Sequence, residues 1–240
     1  MGRASALIAC LVAGCGSSGH LAVDGGPGDA GVDSAIDADL RNYDVAGVYL
    51  DWDSTAASPC PIVGATWTVY FGGGRTGTTD ATGAFTVLLA SYLARIDVEQ
   101  PHLPSSCTTP PSTYDLTQSA IIPGVIHDAG GHPVIRSLTS ARAVTFYAAI
   151  GAPFQAARGQ LLVHLDGPAR SVALSAPHDA VQAFDGQAWA AGDTGSDVFF
   201  PNVDVTNGIW PTVTVAGHPI GAGSLELPPG TITSITVITR

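Results

Sequence analysis

An all-β chain is what this sequence predicts: two small β-sandwich units behind a disordered acidic tether. Three observations carry that reading. Short apolar runs keep a period of two, as in Ala65, Trp67, Val69 and Phe71 alternating with Thr66, Thr68 and Tyr70. Turn-forming residues punctuate those runs, with 29 Gly and 17 Pro among 240 residues, as short strands require. No stretch sustains a helical period; Ala141 to Ile150 is ambiguous but rich in β-formers (Val144, Thr145, Phe146, Tyr147).

The chain opens with a single positive charge, Arg3, and a short apolar segment, Ala6 to Leu11. That segment is too short to span a bilayer, which takes roughly 20 apolar residues. It has the charged start, apolar middle and small-residue exit of a secretory signal. The exit reads Leu11-Val12-Ala13-Gly14-Cys15. It resembles bacterial lipoprotein signals, in which an aliphatic residue and two small residues precede the cysteine that is lipidated and becomes residue one. The resemblance implies removal of residues 1–14, lipid on Cys15 and a place in the cell envelope. Gly16 and Ser17 follow the cysteine where an Asp would signal retention. This resembles outer-membrane sorting, with the body facing the periplasm or the cell surface. One acyl chain anchors only marginally; lipoproteins of this type carry several.

Residues 15–43 form the tether. Asp24-Gly-Gly-Pro-Gly-Asp-Ala-Gly-Val-Asp33 holds few large apolar residues, too little burial to offset the entropy of ordering. Its like charges repel and extend it. The spacing fits neither the glycine-rich repeat calcium loop, because Asp29 follows Gly28 directly, nor an Asp-x-Asp-x-Asp-Gly loop closed by a Glu.

The body begins near Tyr43, with a first unit over 44–150. Val45-Ala-Gly-Val48 opens it, and Pro61-Ile-Val-Gly-Ala65 leads into the strand through Val69. Gly72-Gly-Gly-Arg-Thr-Gly77 turns the chain, and Thr79-Asp80-Ala-Thr-Gly83-Ala-Phe85 starts the next strand. In that last turn Asp80 can accept bonds from the turn backbone, Gly83 can take positive φ and Phe85 returns to the core. The order resembles the carboxypeptidase regulatory-like, or transthyretin-like, domains of secreted bacterial proteins, Ig-like β-sandwiches. The resemblance covers roughly 44 to 100. A further strand is predicted around Tyr92 to Val98. Ile122 to Ile126 and Pro133-Val-Ile135 echo the opening strands, as an internal repeat or as strands completing the first sandwich.

A second unit is expected over 151–240. Its strands are Gln160–Asp166, Ser171–Ser175, Asp197–Pro201, Thr212–Ala216 and Thr231–Ile238. It lacks the Thr-Asp-x-x-Gly-x-Phe turn, so its likeness to the same kind of sandwich is looser.

Charge narrows the partners. All nine positive charges are arginines, against 18 Asp and two Glu, for a net charge of −11. The arginines are scattered, which excludes nucleic acid, whose phosphates need clustered cations. The absence of lysine removes the phosphate-binding Gly-Lys loop, the Schiff-base lysine and the Ser-x-x-Lys site. No cofactor is called for.

Cys10 leaves with the signal and Cys15 carries lipid, so Cys60 and Cys107 remain, in an oxidising compartment, for a disulfide. Closing that loop stabilises the fold by roughly 4 kcal/mol on the chain-entropy model; the alternative is two buried thiols. Three constellations invite a chemical reading. His127 and His132 bracket Asp128-Ala-Gly-Gly131, so a hairpin would bring two imidazoles together for zinc or copper; the alternative is a solvated turn. Asp51, Trp52 and Asp53 pair carboxylates with an indole that could grip a sugar, as could Trp189 and Trp210; the alternative is a core tryptophan with loop carboxylates. Asp193-Thr-Gly-Ser196 matches the aspartic-protease motif, but no second copy supplies the partner carboxylate.

The function expected is therefore a lipid-anchored cell-envelope protein, a non-catalytic structural or interaction module. It meets the membrane through its anchor and envelope proteins or glycans through its sheets and loops. A carbohydrate- or peptidoglycan-binding accessory domain is the alternative, and a hydrolase with a loop-built site the third.

Overall fold

A computed structural model describes residues 43–69, 75–89, 93–99, 103–105, 107, 112–114, 118–123, 130–205, 211–220 and 225–240. The expected signal, Cys15 and the tether lie outside these residues.

The strands of the first half are β1 (Tyr43–Asp51), β2 (Thr66–Val69), β3 (Thr76–Thr78), β4 (Ala84–Leu89), β5 (Leu93–Glu99), β6 (Leu103–Pro104), β7 (Thr113–Tyr114), β8 (Gln118–Pro123) and β9 (Val134–Ser137). A helix, α1 (Ser140–Ala149), follows. The second half holds β10 (Gly159–Asp166), β11 (Arg170–Leu174), β12 (Gln182–Phe184), β13 (Trp189–Ala191), β14 (Thr194–Gly195), β15 (Asp197–Val203), β16 (Val213–Val215), β17 (His218–Pro219) and β18 (Ile232–Ile238).

One nine-stranded sheet, ordered β13-β12-β15-β10-β18-β8-β5-β2-β3, runs across both halves. A three-stranded sheet, β4-β1-β9, covers one end, and a four-stranded sheet, β14-β11-β16-β17, covers the other. The fold is thus all-β sandwich, with a single short helix among the described residues. The two covering sheets enclose separate cores. Val45, Tyr49, Phe85, Val87 and Ile135 meet Trp67, Val69, Ile96 and Val98 in the first. Val172, Val213 and Val215 meet Leu161, Val163, Val198 and Phe200 in the second. The division expected at residue 150 falls just after α1, and the long sheet passes across it through β8 and β18.

The middle of that sheet is parallel: β10 pairs with β18 from Gln160↔Ile232 to Asp166↔Ile238, and β18 pairs with β8. Parallel strands are buried on both faces and read as continuous apolar runs. Leu161-Leu162-Val163 of β10 is such a run, and β15, antiparallel to β10 and β12 in the interior of the same sheet, carries another in Val198-Phe199-Phe200; all six side chains are fully buried. Alternation then divides them: Leu162 and Phe199 leave the second core and point into a third, with Trp52, Phe146 and Tyr147.

The expected turn after β3 forms as its chemistry requires. Asp80 Oδ1 accepts from Thr82 N–H at 2.8 Å, Thr82 Oγ1–H at 2.7 Å and Ala84 N–H at 3.0 Å. Gly83 has φ +72, where a Cβ would collide with the Tyr49 carbonyl. These bonds hold the exposed Asp80 carboxyl below its ordinary pKa.

The β-rich reading of Ala141 to Ile150 is corrected. The segment is helical because Thr139 caps it, accepting from Arg142 N–H at 3.2 Å, and because Ala143, Phe146, Tyr147 and Ile150 recur at i, i+3, i+4 and i+7. That stripe packs on the third core, and burial overrides β-propensity.

Candidate functional site

The aromatic third core is the floor of the site. Trp52 leaves the end of β1 and stacks on Trp189 of β13, with ring centroids 4.4 Å apart and planes 12° from parallel. Phe146 and Phe199 meet Trp52 edge-on at 5.3 and 4.9 Å. Trp189 Nε1–H donates to the Trp52 carbonyl at 3.1 Å.

Arg136 of β9 locks this floor to the second half. Its Nη1 donates to the carbonyls of Asp51, Trp52 and Ser54 at 3.3, 3.4 and 2.8 Å. Its guanidinium lies 4.6 Å over the Phe184 ring. Its Nε stands 3.3 Å from Asp197 Oδ2, a charge contact not aligned as a hydrogen bond. Asp197, 0% exposed, also accepts from His164 Nδ1–H at 2.8 Å and Ser196 Oγ–H at 3.0 Å. Burial opposes its charge, and His164, Arg136 and Ser196 together outweigh burial, holding the carboxyl below its ordinary pKa. The serine bonds the carboxylate rather than the imidazole, so these residues brace the fold and do not form a nucleophile–base pair.

Above the floor, α1 and the segment after it bound an apolar groove of about 560 Å³, lined by Ala143, Val144, Tyr147, Ala148, Pro153 and Phe154 among others. Val144 is 72% exposed, unusual for so apolar a side chain. Outward-facing Ser140, Ala141, Thr145 and Ala148 carry no charge.

A polar network sits behind the groove. Tyr147 Oη–H and Asn202 N–H both donate to Gln160 Oε1, at 2.8 and 2.7 Å. Asn202 Oδ1 accepts from Gln155 N–H and Gln160 Nε2–H at 3.0 and 3.1 Å. Its Nδ2 donates to the Pro153 carbonyl at 2.9 Å and to Asp179 Oδ2 at 2.7 Å. Asn202 sits at φ +52 inside β15, a conformation Asn tolerates better than most residues. Burial, then the Asp179 charge, pushes the Tyr147 phenol upward.

The other expected site residues fall as follows. Trp52 is wholly buried, so its face is closed to a sugar. Asp51, 5% exposed, accepts from Tyr114 Oη–H at 2.6 Å and Asp53 N–H at 3.0 Å. Burial outweighs these bonds and raises its pKa. Asp53 faces solvent in a two-point pair with Arg142, at 2.5 and 3.0 Å. His127, Asp128 and Trp210 lie outside the described residues. His132 is exposed; its N–H donates to Asp166 Oδ2 at 3.1 Å and its Nδ1–H to the Ala46 carbonyl at 3.3 Å. Among the described residues no three His, Cys, Asp or Glu converge as a metal site. Cys60 and Cys107 are joined in a disulfide with Cα atoms 6.0 Å apart, an ordinary separation. Thr194–Gly195 of the Asp-Thr-Gly-Ser motif is the strand β14, paired antiparallel with β11.

Sequence reasoning missed the groove and the Arg136 brace. The signals were the spacing of Phe146, Tyr147 and Ile150, and an arginine inside the apolar run Pro133-Val-Ile-Arg-Ser-Leu138.

No family model matches the chain, and no curated protein matches it. Among solved structures, its fold is similar to the Bacillus anthracis TIE protein, with a TM-score of 0.27 and 10% identity. The match covers 83% of this chain and 34% of that one. The chain therefore spans about a third of that protein's length, and a likeness this weak adds nothing to the functional reading. The class that the fold itself defines is an all-β sandwich protein.

Proposed function

We propose that this is a lipid-anchored cell-envelope protein, held at the outer membrane through Cys15, whose body is a non-catalytic interaction module of the carboxypeptidase regulatory-like kind. The observation that supports the module reading is the groove on α1, an exposed apolar surface with Val144 at its rim, on a rigid aromatic floor. Exposed apolar concavities rimmed by polar residues mark sites of interaction. Three ionisable groups of the sandwich, the buried Asp197 and Arg136 and the half-buried His164, are engaged in bracing one another.

The test uses the full chain in its envelope. A photo-crosslinking residue at Ala148 should give a discrete adduct that Val144→Asp abolishes, while the same residue at Thr76 on β3 gives none. Cys15→Ser should leave the precursor unlipidated and release the body from membranes. Equal crosslinking at both positions would end the module reading. Normal lipid labelling of Cys15→Ser would end the anchoring one.

A further inference from the structure

We infer that the Cys60–Cys107 disulfide is an exchange site for a thiol reductant, attacked at Cys107, and that exchange frees the β6–β7 ladder from the end of β1. This goes beyond the interaction-module reading and does not depend on it.

The two sulfurs are unequally placed. Cys60 is 5% exposed and fixed to the end of β1. Its N–H donates to Ser54 Oγ at 2.9 Å, and its carbonyl accepts from Asp51 N–H at 2.9 Å. Cys107 is exposed, with its N–H donating to Ser105 Oγ at 3.2 Å. A thiolate displaces one sulfur of a disulfide by attacking the other, and access helps decide which is attacked. Solvent reaches Cys107, so Cys60 is the leaving group. The incoming thiol gives up its proton, its sulfur bonds Cys107 Sγ, and the expelled Cys60 thiolate takes a proton. The second thiol of a dithiol then attacks the reductant's own sulfur and expels Cys107 as a thiolate, which is protonated in turn. The reductant ends as a disulfide, and two electrons have passed to the protein.

The disulfide is the covalent hold on a short ladder. That ladder has two register pairs, Leu103↔Tyr114 and Pro104↔Thr113, and a two-stranded ladder is marginal by itself. Tyr114 is buried in the first core, and its hydroxyl covers Asp51 Oδ2 at 2.6 Å. Burial there outweighs that bond and raises the Asp51 pKa, so the ionised carboxylate opposes its own covering. Two exposed bonds of 3.2 Å join the ladder to α1, from Ala141 N–H to Ser112 Oγ and from Ser140 Oγ–H to the Thr113 carbonyl.

The probe is reduced glutathione, added without denaturant to the full chain as extracted from the envelope in detergent. Exchange is stopped with acid, and free thiols are then alkylated on the unfolded chain. Mass spectrometry should find glutathione on Cys107 with Cys60 alkylated, at least about ten-fold over the reverse arrangement. Equal amounts of the two, or no adduct until urea unfolds the chain, overturn Cys107 as the point of attack. Release is read on chain reduced with dithiothreitol, alkylated and freed of reagent. Chymotrypsin should cut after Tyr114 at least about ten-fold faster than in the oxidised chain, and before it cuts after Phe199 or Phe200. An unchanged rate at Tyr114 overturns the release, and so do cuts at Tyr114 and Phe199 that rise together. Neither measurement needs a substituted chain, and neither outcome touches the groove.

Discussion

Arg136→Met should be among the most destabilising single changes in this protein. Methionine keeps the apolar stem, so the loss falls on the charge and its bonds. Three carbonyls, at the end of β1 and in the loop after it, lose a charged donor, and bonds to charged groups contribute about 1.5–3 kcal/mol each when well aligned. Only the Ser54 bond, at 2.8 Å, is short, so this part comes to about 2 kcal/mol. The fully buried Asp197 also loses its permanent cation, and breaking a buried pair costs about 3–5 kcal/mol in all. That range contains the carbonyl contribution, so about 4 kcal/mol is expected. The second variant isolates the cause. Arg136→Met combined with Asp197→Asn removes the stranded charge but keeps an oxygen for His164 and Ser196, and should recover at least half the loss. Urea unfolding followed by tryptophan emission measures both, with an unchanged m-value as the check on a common unfolded state. A loss under about 1 kcal/mol for the single variant, or no recovery in the double, would refute the claim that the buried pair braces the two halves. The pH dependence has a definite sign. The carboxyl of Asp197 is held below its unfolded pKa, so its contribution is complete above that unfolded value, near pH 4. It is lost as pH falls further, toward the folded pKa.

Asp51 has the opposite sign: burial raises its folded pKa, so ionising it costs stability as pH rises from its unfolded value through the raised one. Asp51→Asn should therefore gain on the native protein across that window and hold the gain at pH 7, read by thermal unfolding from pH 3 to 7; a gain that grows toward acid contradicts this. Trp52→Ala removes a fully buried indole and should cost about 3–5 kcal/mol, with red-shifted emission as Trp189 loses its stacked partner; a blue shift at full stability would sink the packing account. Replacing Cys60 and Cys107 together by Ser opens a loop with sequence separation 47 and should cost about 4 kcal/mol, measured by denaturation without reductant; a stability equal to that of the native chain would refute it.

Much of the architecture was legible because strands announce themselves by alternation. Trp67 and Val69 against Thr66 and Thr68, or Ile96 and Val98 against Asp97, specify a buried and an exposed face with no help from distant residues. The Asp80–Phe85 turn was legible for a similar reason, since its bonds close within a few residues. What escaped was non-local. The helix at Ser140–Ala149 has β-forming residues on its buried side, and only the aromatic floor, assembled from β1, β13 and β15, makes the helical stripe favourable. The sugar reading of Trp52 failed on burial, because nothing in Asp51-Trp-Asp53 reveals that Trp189 and Phe199 close over the indole. The groove could not be read at all. It needs the 147–155 segment to be pinned from behind by Asn202, whose bonds to Gln155 and Gln160 span 47 and 42 residues.

The position of β18 has a kinetic consequence. Residues 232–238 pair between β10 and β8, so the strand latest in the chain occupies the middle of the longest sheet. Neither half can close its hydrogen-bond ladder until that strand arrives, although β8 has been waiting for more than a hundred residues of synthesis. Contacts of such separation make folding slow and late. Under the envelope export proposed above, such a delay would be useful: threads pass through export machinery and closed sheets do not. The same topology ties both sandwiches to one final event, so loss of β18 would open the two cores together.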